Sequence, residues 1–194
     1  MSETTITQDD IIRGQAFIKP EDSEIMLAVN KHLIIKPEDT AIDIRRKIKT
    51  LEYAMRKLIQ IFDLPPIDAP VKHLFIKGQY IREWFGPAGT LTVGKIHKKE
   101  HVLFIMKGEC VIVSEVYGVK YHIAPDIVSF PAGSQKVVLA RTDTIIAGAL
   151  NTDETDLVKI EKEFTAENYT EVGKEDPIID ECFINLTAKD MLEK

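Results

Sequence analysis

The sequence predicts a mainly β protein, a small sandwich or barrel with a helical region before it and a helix plus extended arm after it. Three observations carry this. Residues 70–151 hold many short runs rich in β-branched and aromatic residues, punctuated by Gly and Pro, as in all-β sandwiches and barrels. Residues 40–63 instead place apolar side chains at helical spacing. Residues 165–194 are polar and acidic, with short apolar patches at Ile178-Ile179 and Cys182–Leu186, which suits an arm ordered by a partner. The chain therefore divides into 1–66, 70–151 and 152–194.

In the first part, Ile-Lys-Pro-Glu-Asp-Ser at 18–23 recurs as Ile-Lys-Pro-Glu-Asp-Thr at 35–40. Each copy sets Pro, acids and a capping hydroxyl before an apolar-periodic run, a helix-start signature. The second copy opens a helix expected over 40–63 and closed by Pro65-Pro66. Its apolar residues Ile44, Ile48, Leu51, Met55, Leu58 and Phe62 fall at alternating spacings of four and three, a heptad seam. Two readings are open. The seam serves self-association as a coiled coil, dimer or trimer; or Ile42, Ala54 and Ile59 widen it into a stripe that lies on the chain's own barrel.

Strands are expected at Val71–Ile76, Tyr80–Phe85, Leu91–His97, His101–Met106, Cys110–Val116, Val119–Ile123, Ile127–Phe130, Lys136–Leu139 and Thr144–Leu150. Turns fall at Gly86-Pro87-Ala88-Gly89, Tyr117-Gly118 and Pro131-Ala132-Gly133. Thr152-Asp153-Glu154-Thr155 is expected to cap a short helix ending near Phe164, with acids first and lysines later.

Bulk properties exclude some functions. A net charge of −6 and a pI near 5.4 leave no excess of Lys and Arg to neutralise phosphates, so nucleic acid is not the expected partner. No apolar stretch approaches ~18 residues, so no membrane span is expected. The acidic, polar N-terminus does not read as a signal peptide. Cys110 and Cys182 do not form a disulfide framework, which fits a reducing compartment.

Period-2 geometry puts Lys95 and His97 on one strand face, and His101, Leu103 and Ile105 on one face of the next strand. His73 and His122 read as ordinary strand histidines, and Trp84 and Phe85 as core or interface anchors. No Ser-His-Asp arrangement, phosphate-cradling glycine loop or cysteine cluster is present.

Gly89, Lys95, His97, Glu100 and His101, then Lys107-Gly108, then Pro131-Ala132-Gly133-Ser134-Gln135-Lys136 form a glycine and proline skeleton. It resembles the two signature motifs of the cupin superfamily, small jelly-roll barrels that normally carry metal ligands. On that spacing Lys95 takes the first histidine position, His97 the second, His101 the glutamate position and Lys136 the last histidine position. The resemblance implies that His97 and His101 face the barrel, where Zn, Fe, Mn or Ni is the divalent metal they would hold, with Glu100 or water completing the shell. It also implies a ligand pocket of Lys95, Glu100 and Lys136. Two ammonium groups beside a cation oppose the metal, so no cofactor is expected.

Pro87-Ala88-Gly89-Thr90-Leu91, Gly94-Lys95-Ile96-His97-Lys98, Glu100-His101 and Thr152-Asp153-Glu154-Thr155-Asp156-Leu157 are similar to small cupin-like proteins of tailed bacteriophages, over residues 50–160. In that group basic residues also follow the Pro-Gly turn. A histidine is frequent near position 141, where this chain has Arg141. The resemblance implies a viral setting, in the virion or the host cytoplasm. The expected function is a non-enzymatic, homo-oligomeric virion or assembly component that contacts other phage proteins. The alternatives are a metal-dependent enzyme or sensor for a small anionic ligand, and an inhibitor of a host factor.

Overall fold

The structure, a computed structural model, describes residues 35–61 and 71–179, with the backbone alone from 57 to 61. The 18–23 repeat copy, Phe62, Pro65-Pro66 and Cys182 lie outside the described residues, as does the side chain of Leu58.

Helix α1 spans Ala41–Ile61. Its start follows from the second repeat copy. Thr40 N donates to Asp43 Oδ2 at 3.0 Å, and the Thr40 hydroxyl accepts from Asp43 N at 3.4 Å, a reciprocal cap. Asp39 meanwhile turns the chain by accepting from Lys36 N at 2.7 Å.

Nine strands then build two antiparallel sheets: β1 (Val71–Ile76), β2 (Gln79–Gly86), β3 (Leu91–Val93), β5 (His101–Lys107), β6 (Glu109–Ser114), β7 (Gly118–Ile123), β8 (Asp126–Phe130), β9 (Lys136–Ala140) and β10 (Thr144–Leu150), with β4 (Ile96–His97) set apart. One sheet has five strands in the order β1-β2-β10-β5-β8 and the other four in the order β3-β9-β6-β7. The expected Leu91–His97 strand is split. Gly94 and Lys95 break it, with Gly94 N donating to Lys136 O at 2.8 Å, and β4 leaves to pair with β11 (Thr165–Ala166).

Alternation sorts the side chains. Ile105, Cys110, Ile112, Phe130, Val138 and Ile146 meet between the two sheets, with Trp84 and Leu103 against them. The outer face of the four-stranded sheet presents Leu91, Val113 and Val137 to α1.

The coiled-coil expectation is corrected here. Ile44, Ile48 and Leu51 are buried against the chain's own sheet, and Met55 packs beside them half-buried. Three seam positions are thus occupied within one chain and are not free to join a second helix. Ile48 is wholly buried. Ile48→Ala is therefore expected to cost about 2–5 kcal/mol, through lost transfer energy and a residual cavity, measured as a lower urea midpoint.

Helix α2 (Leu157–Phe164) is capped by Asp156, which accepts from Val158 and Lys159 N. The expected Thr152–Thr155 cap is displaced for a local reason. Asp153 instead holds Gly78 N at 2.8 Å, and Glu154 holds the amides of Thr155 and Asp156, both at 2.9 Å. Ile160 and Phe164 of α2 bury against Tyr80 and Leu150.

Residues 165–179 also depart from the extended arm. β11 pairs with β4, a short 3-10 helix follows at Thr170–Val172, and Tyr169 is fully buried. The Tyr169 hydroxyl lies 3.1 Å from Gln135 Oε1, and the Arg45 guanidinium sits 5.2 Å from its ring centroid. Among the described residues no helix is long and apolar enough to cross a membrane.

Candidate functional site at the barrel mouth

Three of the five candidate site residues meet at one end of the barrel. His97 ends β4, His101 opens β5 and Lys136 opens β9. Backbone contacts fix His97 from two sides. Its N–H donates to Ser134 O at 3.0 Å and its C=O accepts from Gly133 N at 2.7 Å, while β11 pairs along it. Gly133 has φ of +74°, and a Cβ there would come within 2.8 Å of Lys174 Cε. The Pro131-Ala132-Gly133 turn thus needs its glycine for conformation, and a side chain there would also displace the end of Lys174.

The His97 and His101 rings stack with centroids 3.8 Å apart and planes 19° apart. His101 Nδ1 lies 3.2 Å from Lys99 O. A carbonyl only accepts, so Nδ1 carries the proton and Nε2 presents a lone pair. Lys136 Nζ donates to that Nε2 at 2.6 Å, which links the two sheets across the barrel. The same nitrogen stands 4.7 Å from the Phe130 ring centroid. Lys136 is only 5% exposed.

Charge is disfavoured throughout this cluster. Burial lowers Lys136 to about 7, opposed in part by Glu115. Burial, then the nearby Lys136, lowers His101 to about 3. Burial, followed by the charges of Lys136, His101 and Arg82, lowers His97 to about 2. Both imidazoles are therefore neutral near pH 7, and Lys136 is the group of the cluster that exchanges a proton around that pH. His97 Nδ1 is buried without a hydrogen-bond partner.

Lys95 and Glu100 are not in this cluster. Lys95 lies in the break before β4 and points outward, 2.5 Å from Glu161 and 3.4 Å from Glu167. Glu100 is exposed in the bend before β5. The assumed continuous strand through 91–97 would have kept Lys95 in step with His97, and the break at Gly94 removes that constraint. Lys95 instead borders a surface cavity of about 340 Å³, where Lys98, Lys162, Glu161, Glu167 and Glu171 alternate in sign. His73 and His122 have ordinary partners, Tyr80 Oη at 2.7 Å and Asp126 Oδ2 at 2.6 Å.

The three nitrogen groups do not fit a metal. Both ring planes must contain an ion held at roughly 2 Å from each nitrogen, yet planes stacked this far apart at this tilt meet only on the order of 10 Å away. His101 Nε2 is also already engaged by an amine donor. Among the described residues no group of three or more His, Cys, Asp or Glu is placed to hold an ion.

A second polar cluster lies behind the mouth, and sequence reasoning missed it. Glu115, whose side chain is 3% exposed, pairs with Lys174 at 3.2 Å and with Arg45 Nε at 3.8 Å. Gln135 donates through Nε2 to Glu52 Oε2 and to Gly94 O, both at 3.0 Å. These residues come from α1, the β6–β7 turn, the loop before β9 and the C-terminal segment. Only one local signal existed: Gln135 precedes an inward Lys136 and must therefore face α1.

No protein-family profile matches the sequence, and neither does any curated protein. Solved structures resemble part of the chain. A cupin-2 domain protein from Shewanella frigidimarina is 12% identical, covering 47% of this chain and 88% of its own, with a TM-score of 0.37. A cupin superfamily protein from Desulfitobacterium hafniense is 13% identical over 46% of this chain and 84% of its own, with a TM-score of 0.37. Salicylate 1,2-dioxygenase from Pseudoaminobacter salicylatoxidans is 12% identical over 60% of this chain and 34% of its own, with a TM-score of 0.42. Each is a likeness over part of the chain, and nothing is carried across from it.

Proposed function

We propose that this chain is a non-enzymatic barrel protein that self-associates and serves as a structural or assembly component of a virus particle. The observation that supports it best is Lys136. Its amine occupies the barrel mouth, bonded to His101 and resting against Phe130, where an ion or a reacting group would otherwise sit. Neutral, stacked imidazoles beside it offer no converging ligand set. The viral setting, in the virion or the host cytoplasm with other phage proteins as partners, draws on the sequence resemblance over residues 50–160. Light scattering on the purified full chain is expected to give a mass above one chain at micromolar concentration, with no stoichiometric metal in the same sample. A monodisperse monomer overturns the proposal. Metal lost in a His97→Ala/His101→Ala double variant would favour the metal-dependent alternative.

A further inference from the structure

The two sheets are treated unequally. Helix α1 covers the outer face of the four-stranded sheet, while among the described residues no element packs on the outer face of the five-stranded sheet. Sheet faces are stable when an apolar layer lies against them. This face is apolar. Leu74 and Ile76 of β1, Phe104 and Met106 of β5, and Ile127 of β8 are 54%, 49%, 37%, 49% and 66% exposed. Alternation and register place Leu74, Ile76, Phe104 and Ile127 on one side, Phe104 directly opposite Ile127, and Met106 sits at the β-bulge beside them.

We infer that this face is where two copies of the chain meet, sheet on sheet, across a two-fold axis. The inference rests on the self-association proposed above and names its surface. Width and charge select the occupant. Five strands about 4.8 Å apart and about six residues long give a flat footprint of roughly 24 by 20 Å, about 480 Å². Side-chain relief brings this towards the roughly 600–800 Å² per partner of a specific interface. A single helix, about 10 Å across, covers less than half that width. Another sheet covers all of it at a spacing of about 10 Å. Lys72 and Glu83 also lie on this face, 2.8 Å apart, and neutralise each other. Lys107, opposite Ile145 at the end of β5, adds one positive charge, too little to recruit a strongly acidic partner. A second copy of the same mainly apolar sheet is matched in both width and polarity, as an isologous contact requires.

The test is sedimentation equilibrium of the full-length protein as wild type, Phe104→Glu, Ile127→Lys and Val119→Glu. Val119 is 54% exposed on β7 of the other sheet, so it serves as the control. The expected result is a wild-type dimer whose Kd rises roughly 30-fold or more in Phe104→Glu and Ile127→Lys, as for truncated interface hot spots. Val119→Glu remains dimeric, and far-UV circular dichroism is unchanged in all four. A dimer indifferent to both β5 and β8 variants overturns this surface and leaves self-association standing. A wild-type monomer overturns both.

Discussion

Glu115→Ala is expected to lower stability by about 3–5 kcal/mol, the range for breaking a buried ion pair by removing one partner. The loss is large because Glu115 is shared. Lys174 and Arg45 both lean on it, and Arg45 Nε has no hydrogen-bond partner of its own. Alanine leaves two cations facing a site built around an anion. Glu115→Gln keeps the shape and one acceptor, so it should cost less than alanine. Urea unfolding followed by circular dichroism checks this. A loss below about 1 kcal/mol for the alanine variant would mean that water screens the cluster as it does a surface pair.

The second expectation concerns pH. Lys136 is lowered to about 7 in the fold, from an ordinary value of 10.5. Between those values the unfolded chain holds a proton that the native state has released, so stability rises with pH across the window. The relief is complete above pH 10.5 and is lost as pH falls towards 7. The rise is of the order of a few kcal/mol, at no more than about 1.4 kcal/mol per pH unit. Lys136→Met removes this slope. It also leaves His101 Nε2 without a donor, an offset of about 1–3 kcal/mol that is nearly constant over the window. The histidines, both lowered from 6.5, change charge in the unfolded chain only around and below that value and leave the slope above pH 7 unaffected. Urea midpoints at pH 7, 8.5 and 10 decide the matter; parallel slopes in wild type and variant refute it.

What could be read in advance follows from how local each signal is. The strands after β3 stood out because alternation and Gly or Pro turns are written within a few residues. The α1 start stood out because its cap lies between Thr40 and Asp43. Its partner did not, since a heptad seam and a stripe lying on a sheet share the same apolar spacing. Only the position of Leu91, Val113 and Val137 separates them. Lys136 and Lys95 looked equivalent, each a lysine at a strand boundary. A backbone break at Gly94 sent one out, and an unbroken β9 kept the other in. Glu115, Arg45 and Lys174 carry no shared motif, and nothing short of the folded chain joins residues so distant in sequence.

That distance has a consequence for the order in which the molecule is completed. Lys49 of α1 donates to Glu167 O at 3.2 Å, across a separation of 118 residues. Arg45 awaits Tyr169, and Glu115 awaits Lys174. Synthesis proceeds from the N-terminus, so α1 emerges long before the residues that fasten it. Until the last of these arrives, α1 holds the barrel by its apolar side and by the Arg45–Glu115 and Glu52–Gln135 contacts, without Tyr169 or Lys174. Contacts this far apart slow folding, because a long loop must close before they contribute. A released chain ending at residue 164 should therefore have its sheets without its lock, and the final fifteen described residues act as a late closing step for the whole domain.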